Sequence, residues 1–498
     1  MGQFDKEDGH RPGATGAGRR IYDLLRGQIA DGTLLPGASV MATRALAAEL
    51  GVSRTTVTAV YEQLAAEGFL VTSTGRAARV ASPLAVDVPS GEALKRQARQ
   101  AQATPCLSGF GRRVADIGAP ALPHAERARF DFLYGAVASR DFPSLAWRRA
   151  YQGALLHQQH SLYYVPPEGD PALRRALQSY LRRARGIACD AEQVLVVHGS
   201  QQAIDLCARL LLDAGDAFAF ENPGYLMARH CFEATGARLL ATPVDGHGLD
   251  TGRLPEAERA RLAYVTPSHQ FPLGGVLPIG RRQALLQWAA RHDAWIIEDD
   301  YDGEFRYGQR PIDALQSIDT EGRVIYVGTF SKALSPQLRL GYMVLPHALV
   351  PVFRQAKRLA DRHAPMLEQQ VLASLIDSGA YERHVRRMRR ENERRRAALL
   401  QAITQYLPKD VRIDGTAAGL HVVLWLPSLS AQQEAALVAT ARREGVGVYP
   451  VGPLFTPPTF DEPPRSAGLI LGYASLSIEQ IQQGISILAL VIARIGTR

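Results

Sequence analysis

Cysteine is scarce in this chain, which has only four among its 498 residues. No two of them show the CxxC spacing of zinc ribbons and thiol-exchange motifs. Disulfide frameworks are typical of short secreted domains, so this low count predicts reduced thiols and a cytoplasmic protein. No metal-ligand spacing joins His198 or His269 to acids or cysteines, and we therefore predict no metal site.

Long apolar runs are absent as well. No run approaches the roughly 18 residues that a membrane-spanning helix needs. The polar, glycine-rich N-terminus lacks the apolar core of a secretory signal, and Gly2 is not followed by the Ser or Thr of a myristoylation motif. These absences predict a protein that does not enter membranes, and its length predicts two or three domains.

Basic charge is present, but it is not concentrated where it would identify a nucleic-acid-binding domain. The chain carries a net charge of +8, yet residues 1–80 contain nine Lys or Arg against eight Asp or Glu. Charge alone therefore does not identify a DNA-binding domain here, and its presence has to be inferred from the pattern of residues.

After a tail at residues 1–18, residues 19–82 show the pattern of three helices followed by a hairpin. Helical apolar spacing recurs in IYDLLRGQIA, TRALAAEL and SRTTVTAVYEQLAAEGF. We expect Thr43 and Ser53 to cap the second and third helices, and FLV and ARVAS to form two strands around a basic tip. This pattern predicts a winged helix-turn-helix domain, an α+β fold. A three-helix bundle with a hairpin and no role in DNA binding is the alternative.

Residues 83–126 are rich in Ala, Pro, Gly, Gln and Arg and show no sustained apolar period, which predicts a linker. From residue 127 to 498, continuous apolar runs alternate with amphipathic helical stretches. This alternation predicts a large α/β domain with a mostly parallel, buried sheet.

Polar clusters follow five of the predicted strands: HGS, ENPGY, TPSHQ, EDDYD and TFSK. Ligands of open α/β sheets gather at the carboxyl ends of strands. We therefore expect these clusters to line one site.

The last cluster places Lys332 at a strand end, where surface lysines are common. An aldehyde cofactor held as a Schiff base would need such an amine in a dry site, an anion site for a phosphate and a carboxylate for a pyridinium nitrogen. Each part has candidates in the sequence. The phosphate donors are Gly199, Ser200, Gln201, Thr329, Ser331 and Arg339; the carboxylate is Asp299; and Tyr225 offers an aromatic face.

The first of two resemblances concerns the N-terminal region. Thr43-Arg44 and the run GVSRTTV from Gly51 to Val57 resemble the winged helix-turn-helix of GntR-type bacterial regulators. The family's usual Leu-Pro before this Thr-Arg is replaced by Val40-Met41. The resemblance implies contacts with double-stranded DNA from Arg44, Ser53, Arg54, Thr55, Gly75 and Arg76.

The second concerns residues 127–498, which resemble fold type I aminotransferases that use pyridoxal 5′-phosphate (PLP). The whole chain is similar to MocR/GabR-type transcriptional regulators. The resemblance implies that Lys332 is the internal-aldimine lysine, that Asp299 pairs with the pyridine nitrogen and that Tyr301 bonds the ring hydroxyl. It further implies that Tyr225 stacks on the ring, that Gly199, Ser200, Gln201, Thr329, Ser331 and Arg339 hold the phosphate, and that Tyr164 reaches the phosphate of the second subunit of a homodimer.

Two alternatives concern single residues. Asp300 could face the ring instead of Asp299, because neighbouring strand residues point to opposite sides of a sheet. Tyr164 could be an ordinary surface tyrosine.

Two departures from the aminotransferase pattern affect substrate recognition. Phe271-Pro272 stands where aminotransferases commonly have Asn-Pro, and Ile470 stands at the apparent position of the arginine that clamps a substrate carboxylate. Losing a bidentate arginine should weaken α-amino-acid binding by roughly several kcal/mol. Either another arginine such as Arg229 replaces it, or the effector is not an ordinary amino acid.

These observations predict a bacterial transcriptional regulator that binds promoter DNA and senses PLP, or an amine or amino acid that forms an aldimine with it. A catalytically active PLP-dependent aminotransferase is the alternative. A descendant that no longer binds PLP and uses the large domain only for dimerisation is a third reading.

Overall fold

The computed structural model describes residues 15–73, 76–81, 106–117, 128–156, 163–308, 312–456 and 465–496. The chain forms two compact units, Met1–Cys106 and Leu107–Arg498.

The first unit has the predicted helices and hairpin. Its elements are α1 (Thr15–Ala30), α2 (Thr43–Glu49), α3 (Arg54–Ala66) and the antiparallel strands β1 (Leu70–Val71) and β2 (Arg79–Val80). The helices bury their apolar faces in one core, which includes Ile21, Leu25, Leu46, Val57, Val60 and Leu64. This arrangement confirms the predicted helix-turn-helix with a wing.

The capping prediction for this unit is right for one helix and wrong for the other. Ser53 Oγ accepts a hydrogen bond from the backbone N–H of Thr56 at 3.1 Å, as expected of an N-cap. In α2, however, Thr43 is already helical and Ala42 stands at the N-cap. The predicted start of α2 is therefore one residue too late, because Thr43 occupies the first helical position and not the N-cap.

The second unit is organised around a sheet of eight strands. Their order is β4 (Val194–Val197), β11 (Gly341–Val344), β10 (Val324–Thr329), β9 (Trp295–Asp300), β8 (Ala260–Val265), β5 (Ala217–Asn222), β6 (Arg238–Asp245) and β7 (Gly248–Leu249). The five strands from β10 to β6 run parallel, whereas β11 is antiparallel to both of its neighbours. The predicted mostly parallel sheet is confirmed.

Helices cover both faces of this sheet, which explains why its strands are continuously apolar. Along β4, Val194 and Val196 pack with one helix layer, and Leu195 and Val197 pack with the other. The helices of this region are α5 (Ser144–Leu156), α6 (Pro171–Arg185), α7 (Ser200–Leu211), α8 (Leu226–Thr235), α9 (Ile279–His292), α10 (Val350–Asp361) and α11 (Met366–Asp377).

A smaller lobe with its own core completes the second unit. Its elements are β3 (Phe130–Asp131), α12 (Ala380–Tyr406), β12 (Arg412–Asp414), β13 (His421–Ser430), α13 (Glu434–Arg443), β14 (Val446–Gly447), β15 (Tyr449–Pro450), β16 (Ser466–Gly472) and α14 (Ile478–Gly496). Strands β12, β13, β16 and β15 form an antiparallel sheet, and β14 pairs with β3.

Helix α14 is long and apolar enough to cross a membrane by length and composition alone. One face of it, which includes Ile481, Ile485 and Leu488, is fully buried in the core of the smaller lobe. The described part of the chain contains no other helix that meets the same criteria. Leu490 of the same helix is exposed.

Part of the predicted linker forms a helix on the second unit. Helix α4 (Gly109–Ile117) buries none of its own side chains, yet it packs along α8. Arg113 donates to the carbonyl oxygens of Ala234 and Thr235, both at 2.8 Å, at the last turn of α8. A cation at a helix C-terminus satisfies orphan carbonyls and complements the helix dipole. Arg113 is therefore the anchor of α4.

Replacing Arg113 with alanine should free α4 from the second unit. Two hydrogen bonds and a charge–dipole interaction are worth about 1–2 kcal/mol here, so local opening should rise roughly 5- to 30-fold. Backbone hydrogen exchange of residues 107–117 would measure this. Arg112→Ala is the matched control, because Arg112 is exposed and contacts only Leu107 of its own segment. Equal exchange in the two variants would contradict the anchor.

Candidate functional site

A cavity of 490 Å³ lies at the carboxyl ends of the parallel strands of the second unit. Nine of the sequence-predicted site residues line it: Ser200, Gln201, Tyr225, Asp299, Tyr301, Thr329, Ser331, Lys332 and Arg339. They follow β4, β5, β9 and β10, as the positions of the polar clusters led us to expect.

Lys332 comes three residues after the end of β10, and its amine lies deep in this cavity. Nζ is 3.4 Å from the carbonyl oxygen of Gly135. Burial lowers the pKa of the Lys332 amine, although the carboxylates of Asp302 and Asp299 partly oppose this shift. A neutral lysine amine is a nucleophile, so burial prepares this group for reaction with a carbonyl compound.

Gly135 makes room for this amine. Its φ of +80° favours glycine, and a Cβ at this position would lie 2.7 Å from Lys332 Nζ. The positive φ therefore favours glycine at residue 135, and a side chain there would displace the Lys332 amine.

Asp299, and not its neighbour Asp300, faces the cavity. Asp299 Oδ2 accepts a hydrogen bond from the Tyr264 hydroxyl at 2.5 Å, whereas Oδ1 is buried without a partner among the described residues. Burial raises the pKa of the Asp299 carboxyl to about 7. An unpaired buried carboxylate oxygen is costly, so this site is suited to a ligand that donates a hydrogen bond there.

Asp300 points to the other side of β9, as the alternation of strand side chains requires. Its Oδ2 lies 2.7 Å from the guanidinium Nε of Arg185 and accepts from the Tyr326 hydroxyl at 2.5 Å. The ion pair is almost completely buried, with about one-twentieth of each side chain exposed. Asp300 is therefore a structural residue.

The start of α7 and Arg339 form the anion-binding end of the cavity. Gly199 precedes α7 with φ +75° and offers no side chain to cap the helix. A Cβ at Gly199 would lie 2.9 Å from Arg339 Nη2, which donates to the carbonyl oxygen of His198. Thr329 and Ser331 hydroxyls lie 3.0 Å apart beside them. Helix N–H groups, hydroxyls and a guanidinium together suit a phosphate.

Tyr301 is held by a buried histidine that the sequence did not single out as a ligand-binding residue. The Tyr301 hydroxyl lies 2.8 Å from His269 Nδ1, and Asp302 Oδ2 lies 3.0 Å from the same nitrogen. Nδ1 of His269 contacts both oxygens, and burial together with the nearby Asp302 carboxylate raises the pKa of the Tyr301 hydroxyl, which keeps it protonated. Asp302 thus positions Tyr301 through His269.

Several cavity residues were missed in the sequence. Thr266 and Asp302 lie inside the polar clusters TPSHQ and EDDYD, so their place in the cavity could have been predicted from the sequence. Tyr134 and Gly135 follow β3, and His421 begins β13 of the smaller lobe. No strand-end pattern marks these three positions, because they reach the cavity only through the packing of that lobe.

Tyr164 is not among the residues that line the cavity of its own chain. It is 58% exposed, and the Arg362 guanidinium lies 4.5 Å from the centre of its ring. Its expected role in a second subunit stays a prediction.

The DNA-binding candidates lie on the surface of the first unit. Arg54 and Thr55 begin α3, and they are exposed, as are Arg44, Ser53 and Arg76. Gly75 lies outside the described residues. Within the described ranges no group of three or more His, Cys, Asp or Glu could hold a metal ion.

The chain matches two family models. One, described as aminotransferase class I and II, matches residues 135–467, and the other, bacterial regulatory proteins of the gntR family, matches residues 17–80. The chain is 36% identical over 471 residues to the probable rhizopine catabolism regulatory protein MocR of Rhizobium meliloti, covering 94% of this chain and 92% of that protein. It is 32% identical to the HTH-type pyridoxine biosynthesis transcriptional regulator PdxR of Corynebacterium glutamicum, covering 83% and 84% of the two chains.

The second unit is similar to solved aminotransferase structures. One is the alpha-aminoadipate aminotransferase LysN of Thermus thermophilus, solved with N-(5′-phosphopyridoxyl)-L-leucine. It is 32% identical, with a TM-score of 0.70 and coverage of 78% of this chain and 99% of that chain.

Two neighbouring amide substitutions should separate the roles of Asp299 and Asp300 in the chain without a cofactor. Asp300→Asn leaves the Arg185 charge buried and uncompensated, which should lower the free energy of unfolding by about 3–5 kcal/mol. Asp299→Asn keeps an acceptor for Tyr264 and removes a carboxyl that is costly to ionise, so it should not destabilise the chain.

The pH dependence of this pair has a definite sign. A folded pKa of about 7, above the ordinary value, means that ionising Asp299 costs stability as pH rises from 4 to 7. The stability of Asp299→Asn relative to the unsubstituted chain should therefore increase over this range. Denaturant unfolding at several pH values would measure both effects, and a constant difference would contradict the raised pKa.

Proposed function

The chain belongs to the GntR-type bacterial regulators that carry an aminotransferase-like domain, and we propose that a ligand in its second unit controls promoter binding by its first. It is a transcriptional regulator whose winged helix-turn-helix binds double-stranded DNA, and PLP is its cofactor. The ligand must bind one arrangement of the protein more tightly than another to shift its population.

The buried Oδ1 of Asp299, in one cavity with the Lys332 amine, is the observation that carries the cofactor assignment. A protonated pyridine nitrogen would satisfy this oxygen, and a carboxylate there keeps the ring electron-withdrawing. When bound, PLP supplies an aldehyde for the lysine amine and a ring that accepts electrons.

The remaining side chains hold and orient this group. The start of α7, Thr329, Ser331 and Arg339 bind the phosphate, and Tyr225 covers the ring. Tyr301, which His269 holds at the cavity, forms a hydrogen bond with the ring hydroxyl. Phe271 forms an aromatic wall against Tyr301 and Tyr225 at centroid distances of 5.9 and 5.8 Å, in place of the amide that aminotransferases commonly use.

We place the active form in the cytoplasm as a homodimer in which Tyr164 of one subunit reaches the phosphate of the other. The exposure of this tyrosine and its separation from its own cavity support this arrangement.

Regulation rather than turnover is the function of the second unit in this account, with half-transamination as residual chemistry at most. The relatives named as regulators match nearly the whole chain, including the DNA-binding unit. The aminotransferase match favours catalysis as the second candidate. Sustained conversion of an amino donor with 2-oxoglutarate would decide for it.

Attachment of PLP should depend on Lys332 alone. The chain should develop a visible absorption band with PLP, and borohydride reduction should leave the added mass on the peptide that contains Lys332. Lys332→Ala should lose both signals, because no other amine is placed in the described lining of the cavity. Lys409→Ala, at an exposed turn, is the matched control and should keep both. A band that survives Lys332→Ala would contradict the assignment.

Promoter binding should depend on Arg54. Removing one direct phosphate or base contact costs about 1–3 kcal/mol, so Arg54→Ala should weaken promoter DNA binding roughly 5- to 150-fold. PLP binding should not change. Arg26→Ala removes an exposed arginine beside Phe69 at the other end of α3 and should have little effect. Fluorescence anisotropy with promoter DNA would measure both, and equal affinities would show that α3 is not the recognition helix.

A further inference from the structure

The cationic side chains of the cavity are those that we assign to the cofactor. Among the described residues that line it, the only cationic side chains are those of Lys332 and Arg339. Arg339 lies at the start of α7 beside Gly199, and Lys332 faces Gly135. Neither is left to bind a carboxylate on a second ligand.

Two positions could have supplied an arginine for a ligand carboxylate, residues 470 and 229, and neither supplies one to the cavity. Ile470 is fully buried and packs with Phe271 and Val423. Arg229, the candidate replacement in the sequence, donates to the carbonyl of Phe455 at 3.3 Å and lies 3.8 Å from Glu233. It is not among the described residues that line the cavity, so the replacement is not supported.

Arg465 of the smaller lobe is engaged as well. It forms an ion pair with Glu434 at 2.6 Å and lies over the rings of Trp425 and Phe455. Its charge is balanced within that lobe.

Negative charge, in contrast, is present near the reacting amine. Asp302 lines the cavity with only 2% of its surface exposed, and it acts on Lys332 more strongly than Asp299 does. The histidine beside it, His269, has a buried Nε2 without a partner in the described part of the chain, and it carries a full charge only if protonated. A ligand carboxylate here would meet a like charge and no guanidinium.

We infer that the effector of this site is an amine that lacks a carboxylate, with hydrogen-bond donors such as hydroxyl or further amino groups in its place. Asp302 accepts hydrogen bonds from such donors, whereas it repels the carboxylate of an amino acid. An amino alcohol or a diamine has this chemistry. The inference rests on the proposed binding of PLP and on control of the promoter by the second unit.

Matched pairs of compounds test this inference on the PLP-loaded full chain: ethanolamine against serine, putrescine against ornithine, and tyramine against tyrosine. Calorimetry and the PLP absorption band report binding, and promoter anisotropy reports the response. For at least one pair, the compound without a carboxylate should bind about 10-fold or more tightly than its amino acid. Equal or tighter binding of the amino acids, or no binding of any of the amines, would overturn the inference.

A gain of carboxylate binding gives an independent test. Met227 lines the cavity and has no proposed role with PLP, so Met227→Arg supplies the missing cation. It should raise the affinity for amino acids about 10-fold or more while the PLP band persists. The same guanidinium placed at exposed Val352 should leave the preference unchanged. An unchanged preference in a Met227→Arg chain that still binds PLP would count against the inference.

Asp302→Asn serves where Met227→Arg fails to fold. It should reduce the preference for amines without a carboxylate, and an unreduced preference would overturn the role of Asp302. Failure of the proposed function is a separate result. It would appear before any amine is added, as absence of the PLP band or of promoter binding in the unsubstituted chain.

Discussion

The candidate site depends on how one strand distributes three consecutive buried acids. Glu298 accepts hydrogen bonds from the backbone N–H groups of Leu315 and Gln316 at 2.7 and 2.9 Å, and Asp300 is paired with Arg185. Asp299 and Asp300 each have one buried oxygen, Oδ1, without a hydrogen-bond partner among the described residues, but of the three acids only Asp299 lines the cavity. Buried carboxylates are expensive, and the alternation of the strand directs Glu298 and Asp300 away from the cavity, where they find backbone or arginine partners, and Asp299 into the cavity. The Asp299 carboxyl is thus the one acid of the three that a ligand in the cavity can reach.

Burial in the cavity also affects Lys332, whose charged form is a cation. Burial favours the neutral amine of Lys332, while the nearby acids favour the protonated form, so their balance sets how readily the amine reacts. Gly135 and Gly199 both have a positive φ, and a Cβ at either position would meet the end of the Lys332 or Arg339 side chain. The cost of burying charge and the limited space in the cavity therefore restrict the residue types at the same few positions.

Much of this could be predicted from the sequence, because the information was local. Apolar strands followed by polar clusters indicated the sheet and seven of the residues that line the cavity, and Gln201 and Arg339 follow two of these clusters. Helical spacing with Ser53 indicated the first unit. The choice between Asp299 and Asp300 needed the structure, since the sequence does not show which face of the strand borders the cavity. Tyr134, Gly135 and His421 could not be identified, because tertiary packing of a lobe with no cluster of its own brings them in. The anchor of α4 was hidden for the same reason: Arg113 and the α8 carbonyls it binds are more than 100 residues apart.

The protonation state of the pyridine nitrogen tests the central claim most directly. Nitrogen-15 NMR of the chain loaded with PLP labelled at that atom distinguishes a protonated from an unprotonated ring. The account predicts a protonated nitrogen across neutral pH that is lost in Asp299→Asn and retained in Glu298→Gln. An unprotonated nitrogen in the unsubstituted chain, or a protonated one that does not depend on Asp299, would contradict it.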